Sequence, residues 1–154
     1  MQEQRLRELS LKDPLTQCHN RRYLHRLDEM TAGTWACLVF DLDDFKRIND
    51  AQGHRRGDAI LVEFAAFLKA PLSAGETVVR LGGDEFLVVL TASASERLAL
   101  LETWYATNAA QSPTAFSTGA AVSAPGESVA DTIHHADSQL YDARARVRRQ
   151  RRDE

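Results

Sequence analysis

The residues best suited to chemistry are the adjacent carboxylates Asp84 and Glu85, which follow Gly82 and Gly83 in the run "VVRLGGDEFLVVL". Two apolar segments joined by glycines predict a β-hairpin, because only glycine takes positive φ angles without strain. A hairpin tip does not require two neighbouring acids, since like charges repel each other. The pair therefore indicates a function at this turn.

A second group of acids follows the apolar run "CLVF". Asp41 comes directly after this run, and Asp43 and Asp44 come next. If strand 35–41 lies beside the hairpin, Asp41 and Asp84 converge at one edge of the sheet. Carboxylates held together in this way are destabilised unless a cation lies between them. Oxygen ligands without His or Cys select Mg²⁺ or Mn²⁺, and Mg²⁺ leaves coordination positions for substrate phosphates. The pattern predicts two-metal phosphoryl or nucleotidyl transfer.

A purely structural interpretation is that Asp41, Asp43 and Asp44 cap the helix that follows them. Asp44 suits this role, because acidic residues favour helix N-termini. The interpretation does not account for Asp84 and Glu85, which precede a strand.

The elements that must position these acids follow the order helix, strand, helix, strand, strand, helix, strand, helix. Helices that cover one sheet containing a hairpin predict an α+β, ferredoxin-like fold with a central, mostly antiparallel sheet. No Gly-rich strand-to-helix turn indicates a P-loop or dinucleotide site. The predicted elements are a helix from Asp13-Pro14 onwards, strand 34–42, helix 57–70, strands Val78–Leu81 and Phe86–Leu90, helix 93–110, strand 114–124 and helix 128–147.

The composition fits one globular domain of 154 residues with a net charge of −3. No apolar stretch approaches the ~20 residues of a membrane span, and no signal peptide is apparent. Cys18 and Cys37 lack metal-ligand spacing, which favours a reducing, cytoplasmic location. The C-terminal arginines lack interleaved aromatic residues, so they predict a solvated helix end rather than a nucleic-acid arm. We expect residues 1–12 to end a connecting helix, 13–150 to form the domain, and 151–154 to be a tail.

Four segments together resemble the GGDEF family, the diguanylate cyclase catalytic domain: "DPLTQCHNRRYL", "FDLDDFKRINDAQGHRRGDAIL", "RLGGDEF" and "ADSQLYDARARVRR". They follow the family's order and spacing over about residues 11–149. The resemblance implies a fold related to nucleotidyl cyclases and polymerase palms. It also implies that two GTP molecules are joined into cyclic di-GMP, with release of pyrophosphate, by an antiparallel homodimer that holds one GTP on each subunit.

The resemblance further assigns roles to individual residues. Asp41 and Asp84 would bind Mg²⁺ (or Mn²⁺), two ions per active site, with the backbone carbonyl of Leu42 as a further ligand. Asn49 and Asp58 would read the guanine edge. The other implied substrate contacts are Leu61 against the base, Gly82 and Gly83 beside the phosphates, Lys46 and Arg148 on the β- and γ-phosphates, and His54, which is equally well explained as structural.

The attacking 3′-hydroxyl must lose a proton, and Asp84 and Glu85 are the acids placed to accept it. A metal-bound Asp84 is a poor base, so chemistry favours Glu85 as the base or as the group that orients the hydroxyl. By contrast, we expect Arg80 to form a structural ion pair, and Trp35, Trp104 and Cys37 to lie in the core.

Three departures from the family pattern are evident. Gln17-Cys18 replaces Gly-Leu, a local packing change. Ser73 and Glu76 replace the Arg and Asp of the product-inhibition motif, so we expect no inhibitory site of that type. Arg144 and Val147 replace a Lys and a Gly on the last helix, which changes the shape of the phosphate clamp.

Two other functions remain open beside an active cyclase. One is a catalytically idle GGDEF domain that serves as a GTP-binding sensor or interaction module. The other is a cyclase for another nucleotide, which Asn49 and Asp58 disfavour because they suit guanine. We expect an input-driven homodimer, without direct membrane insertion by this domain, that could form the cytoplasmic part of a larger, membrane-bound sensor.

Overall fold

The computed structural model describes residues 11–30 and 33–153. The predicted connecting helix at residues 1–12 therefore lies outside the described residues, except for its last two positions. Lys12 forms an isolated antiparallel bridge with His19. None of the helices in the described ranges is both long enough and apolar enough to cross a membrane.

The chain forms a five-stranded mixed sheet with helices on both faces, in the strand order β1-β3-β4-β2-β5. The short strand β1 is parallel to β3, and the other neighbours are antiparallel. This arrangement confirms the predicted α+β class. The elements are β1 His19–Asn20, α1 Tyr23–Met30, β2 Ala36–Leu42, α2 Phe45–Gln52, α3 His54–Lys69, β3 Thr77–Gly82, β4 Glu85–Leu90, α4 Ala94–Thr107, a 3₁₀ turn Ala109–Gln111, β5 Phe116–Val122 and α5 Val129–Asp153.

Alternate residues of the central strand β2 enter two different hydrophobic clusters, one on each face of the sheet. Phe40 packs with α3 and α4, whereas Val39 packs with α1 and α5. Each such buried side chain stabilises the fold by about 1.5–3 kcal/mol. The predicted apolar faces of α3 and α5 are buried, as are Trp35 and Cys37, while Trp104 packs at the border of the core.

The last helix lies unusually close to the edge strand because β5 contains Gly119. A Cβ atom at this position would collide with the backbone carbonyl oxygen of Ala136 and lie 2.6 Å from the amide nitrogen of Leu140. The glycine therefore lets α5 rest directly on β5. This contact fixes the part of α5 that reaches the C-terminal end of β2.

The prediction of a helix beginning at Asp13-Pro14 is wrong, because α1 begins only at Tyr23. The Asp13 carboxylate accepts hydrogen bonds from the amide and hydroxyl groups of Thr16, at 2.8 and 2.7 Å. Gln17 then takes a left-handed φ of 62°, and the chain turns into β1. Side-chain bonds to the backbone compete with helix formation here.

The region after β2 also differs from the prediction. It contains the additional helix α2. The next helix, α3, begins at His54 rather than Gly57, and Gly53, with a φ of 89°, separates the two helices. Asp44 occupies the N-cap position of α2, as expected, but its side chain makes no capping hydrogen bond. At the other end, α5 continues to Asp153 and includes most of the expected tail.

Candidate active site

The pairing of β2 with β4 brings the two groups of acids together at one end of the sheet. Asp41 lies opposite Glu85 in the antiparallel register. The amide of Leu42 donates to the carbonyl oxygen of Asp84 at 3.3 Å, and the Asp84 carboxylate lies close enough to raise the pKa of Asp41. The convergence expected from the sequence is therefore present in the fold.

The Asp41 carboxyl lies in an environment that disfavours its charged form. Burial and the neighbouring Asp84 carboxylate raise its pKa above the ordinary range, and the nearby Arg144 opposes this shift. Its Oδ2 atom lies 2.9 Å from Nη1 of Arg144. Its Oδ1 atom is buried and has no hydrogen-bond partner in the structure. An unsatisfied carboxylate oxygen of this kind is suited to a cation ligand.

Arg144 extends from α5 across the end of β2 and contacts three consecutive residues. Besides Asp41, its Nη2 atom donates to the carbonyl oxygen of Leu42 at 3.3 Å, and its Nε atom lies 3.5 Å from Oδ1 of Asp43. The hydroxyl of Ser117 on β5 holds the same Asp43 oxygen at 2.8 Å. The guanidinium thus neutralises part of the acidic cluster.

A cavity of about 260 Å³ opens beside this cluster, and five of the predicted site residues line it. Its lining combines acids with the cations Lys46, Arg144 and Arg148. Such a cavity is suited to a phosphate chain bridged by a divalent ion. The five residues are Leu42, Lys46, Asp84, Arg144 and Arg148, and Val147 also lines the cavity.

The donor set fits a hard divalent cation. Two carboxylates and one carbonyl supply oxygen only, which suits Mg²⁺ or Mn²⁺. The described part of the chain holds no group of three or more His, Cys, Asp or Glu side chains arranged for a metal. Mg²⁺ tolerates such a sparse set, because it keeps waters and substrate phosphates as its other ligands.

Glu85 lines a neighbouring cleft of about 780 Å³ between α1 and α5. Burial raises the pKa of its carboxyl, and so do the charge of Asp137 and a hydrogen bond shared with Asp137, while Arg21 lowers it. The sequence analysis missed Asp137. It precedes Arg144 by seven residues, or two helical turns, so a search for polar residues on the same face of α5 would have found it.

Arg80 supports the hairpin turn that presents Asp84. Its Nε and Nη2 atoms donate to the carbonyl oxygen of Gly83 at 3.1 and 2.9 Å, and Nη1 lies 3.2 Å from the Asp13 carboxylate. The predicted structural ion pair is therefore confirmed. Gly83 has a φ of 33°, a conformation that a residue with a side chain rarely adopts.

The residues predicted to contact guanine lie on α2 and α3, away from the cavity walls. Asn49 packs against Gly57, where a Cβ atom would collide with its Oδ1 atom, and this oxygen is buried without a partner. Asp58 and His54 are exposed on α3. Leu61 is only 2% exposed and belongs to the core, so its contact with a base stays a prediction.

Ser73 and Glu76 occupy the loop before β3. Glu76 accepts the Ser73 amide at 2.7 Å and forms a two-point ion pair with Arg97 of α4, at 2.7 and 2.6 Å. Its carboxylate is therefore engaged within the protein.

Comparison with known proteins identifies one family. The family model described as "Diguanylate cyclase, GGDEF domain" matches residues 10–150. The chain is 33% identical to the diguanylate cyclase DgcS of Shewanella oneidensis, over 94% of this chain and 53% of that protein. It is 36% identical to the diguanylate cyclase TpbB of Pseudomonas aeruginosa, over 76% of this chain and 29% of that protein. The chain thus spans about half or less of these relatives.

Solved structures agree with this match. One solved structure shows a microbial GGDEF domain in a novel interaction mode with cyclic di-GMP. It superposes on this chain with a TM-score of 0.73 and 32% identity, over 88% of this chain and 93% of that one. The GGDEF domain of DgcB from Caulobacter crescentus, in complex with cyclic di-GMP, superposes with a TM-score of 0.77 and 27% identity, over 88% of each chain.

Proposed function

Since the chain belongs to the diguanylate cyclase GGDEF domain family, we propose that it condenses two GTP molecules into cyclic di-GMP with release of pyrophosphate. The observation that carries this proposal is the meeting of Asp41, Asp84 and the Leu42 carbonyl beside a cavity lined by Lys46 and Arg148. Acids and cations around one cavity match the needs of a metal-bound triphosphate. The relatives that carry the name diguanylate cyclase support the same reaction.

In this proposal Asp41 and Asp84, with the Leu42 carbonyl, hold Mg²⁺ or Mn²⁺. The bound ions, two in each active site, would supply charge stabilisation at the attacking and leaving oxygens. The unpartnered Oδ1 atom of Asp41 supports this assignment. Lys46 and Arg148 bind the β- and γ-phosphates as a point charge and a planar fork, and they stabilise the departing pyrophosphate.

Asn49 and Asp58 bind the guanine edge. Asp58 accepts hydrogen bonds from the ring N–H and the exocyclic amine, donors that adenine lacks at those positions. The exposed position of Asp58 and the unpartnered oxygen of Asn49 support this assignment. Leu61 and His54 complete the proposed base contacts, and Gly82 and Gly83 let the backbone approach the phosphates.

Glu85 accepts or orients the proton of the attacking 3′-hydroxyl, because Asp84 is committed to the metal. The hydroxyl belongs to the nucleotide held by a second copy of the chain, so the reaction requires an antiparallel homodimer. We place the reaction in the cytoplasm, where nucleoside triphosphates are available.

The experiment is to incubate concentrated protein with GTP and Mg²⁺ and to measure cyclic di-GMP and pyrophosphate. We expect both products, and we expect their loss in the variants Asp84→Ala and Glu85→Ala. GTP binding without turnover at every protein concentration, even after fusion to a dimerisation tag, would instead identify an idle sensor domain. Equal turnover of ATP would contradict the assignment of guanine to Asn49 and Asp58.

A further inference from the structure

We propose that Arg144 is a built-in counter-ion that competes with the divalent cation, so that metal binds tightly only when a nucleotide triphosphate gives Arg144 another anionic partner. This inference rests on the proposed function, because it concerns the same acidic cluster. It adds that the two ligands bind cooperatively: the cation binds weakly alone and more tightly when the nucleotide is bound.

The three contacts of Arg144 carry the inference. Its nitrogens approach Asp41 Oδ2 at 2.9 Å, the Leu42 carbonyl oxygen at 3.3 Å and Asp43 Oδ1 at 3.5 Å. The first two residues are proposed metal ligands. The guanidinium therefore already neutralises the Asp41 carboxylate through Oδ2 and takes part of the Leu42 carbonyl oxygen, while Oδ1 of Asp41 stays open.

The local environment makes these contacts stronger than those of a surface ion pair. The side chains of Asp41 and Arg144 are 18% and 28% exposed. Solvent screens such a pair less than an exposed pair. By comparison, Arg151 on the same helix lies 3.4 Å from Asp44, which precedes α2, and these two side chains are 59% and 51% exposed.

The backbone of α5 holds Arg144 in this position. The buried Leu140 lies one turn before it, and Gly119 allows that turn to rest on β5. Arginine can serve three acceptors at once because its planar group carries five N–H donors, whereas the single ammonium of lysine cannot span them. The competition is therefore a property of arginine at this position.

Arg144 also lines the cavity with Lys46 and Arg148, where the triphosphate is proposed to bind. A phosphate oxygen there would give the guanidinium a charge-assisted partner and release Asp41 and the Leu42 carbonyl. Because each ligand favours the same arrangement, each must raise the affinity of the other by the same factor.

The test measures Mn²⁺ affinity by electron paramagnetic resonance on the full chain, with and without a non-hydrolysable GTP analogue. Without nucleotide, we expect Arg144→Ala to bind Mn²⁺ roughly tenfold more tightly than the wild type, as for the loss of a charged hydrogen bond. Arg149→Ala is the matched control: it removes one charge from the exposed side of α5, where Arg149 donates to the Ala145 carbonyl, and we expect it to change the affinity less than about twofold. The analogue should tighten Mn²⁺ binding more in the wild type than in Arg144→Ala.

Equal Mn²⁺ affinity of the wild type and Arg144→Ala, or an equal increase in Arg149→Ala, overturns the inference and leaves the proposed function intact. A wild-type protein that binds no Mn²⁺ with or without the analogue defeats the proposed metal site itself. Circular dichroism checks the fold of each variant. Arg144→Gln, which keeps most of the side chain, should show the same increase in affinity and replaces Arg144→Ala if that variant unfolds.

Discussion

Glu76 and Arg97 form a two-point ion pair, with Nη2 to Oε1 at 2.6 Å and Nε to Oε2 at 2.7 Å. The pair joins the loop before β3 to the first turn of α4. The Glu76 side chain is only 8% exposed. Its hydrogen bond with Arg97 lowers its pKa from the ordinary value of 4.5 despite the opposing effect of burial.

The first prediction is that this pair contributes stability that acid removes. A carboxyl with a lowered pKa in the folded state stabilises the protein above its ordinary pKa, and this stabilisation is lost as the pH falls through the folded-state pKa. We expect Glu76→Gln to lower the free energy of unfolding by about 1–3 kcal/mol at pH 7. The difference between variant and wild type should shrink below about pH 4. Urea titrations at both pH values check this, and a difference independent of pH would contradict it.

The second prediction concerns product inhibition. Because Glu76 is paired with Arg97 and Ser73 carries no charge, we expect this loop to bind no cyclic di-GMP with high affinity. Calorimetry with cyclic di-GMP should give the same result for the wild type and for Ser73→Ala. Tight binding that requires both Ser73 and Glu76 would show the prediction to be mistaken.

The third prediction tests the contact between β5 and α5. Gly119→Ala places a Cβ atom against the backbone of Ala136 and Leu140, and neither group can move without shifting the helix. We expect a loss of about 1–3 kcal/mol in the free energy of unfolding, as for other overpacked sites. The control is Gly33→Ala, where a Cβ atom meets nothing within 4 Å. Equal unfolding free energies for the two variants in urea would rule out the close contact.

The fourth prediction concerns nucleotide choice. Asp58→Asn should weaken GTP binding and reduce the preference for GTP over ATP by about tenfold or more, because the amide repels one of the two guanine donors. The matched control is Glu63→Gln, which removes an acid farther along α3. The Glu63 carboxylate lies 3.9 Å from Nη1 of Arg56. Competitive binding of labelled GTP against ATP measures the ratio. An unchanged ratio in Asp58→Asn would place guanine recognition elsewhere.

Much of the scaffold was predictable because it depends on local patterns. The apolar run of β2, the glycines of the hairpin and the periodic apolar faces of α3 and α5 each predict their own element. The meeting of Asp41 with Asp84 followed from two strands ending at the same edge. The resemblance to the family then attached roles to residues that hydrophobic patterns alone could not distinguish.

The features that the sequence did not predict depend on contacts between distant segments. The turn at Asp13 forms because its carboxylate binds Thr16 and also faces Arg80, which is 67 residues away. The contact of Arg144 with the Leu42 carbonyl spans 102 residues. Such contacts arise only when strands and helices are placed together, so propensity and periodicity do not contain them.

The last prediction concerns the support of the hairpin. Arg80 holds the Gly83 carbonyl with two nitrogens and Asp13 with a third, and the Arg80 and Asp13 side chains are 17% and 16% exposed. We expect Arg80→Ala to lower the free energy of unfolding by about 1–3 kcal/mol, because it removes charged hydrogen bonds and leaves Asp13 without its cation.

We also expect Arg80→Ala to slow cyclic di-GMP formation, since a looser turn no longer holds Asp84 and Glu85 in place. Arg80→Lys keeps the charge but lacks the planar fork, so it should recover stability only in part. Hydrogen exchange at the amides of Gly83 and Asp84 separates the two effects. Faster exchange and slower turnover in Arg80→Ala would support a role of Arg80 in holding the turn rigid. Unchanged exchange and turnover in this variant would show that Arg80 only forms an ion pair with Asp13.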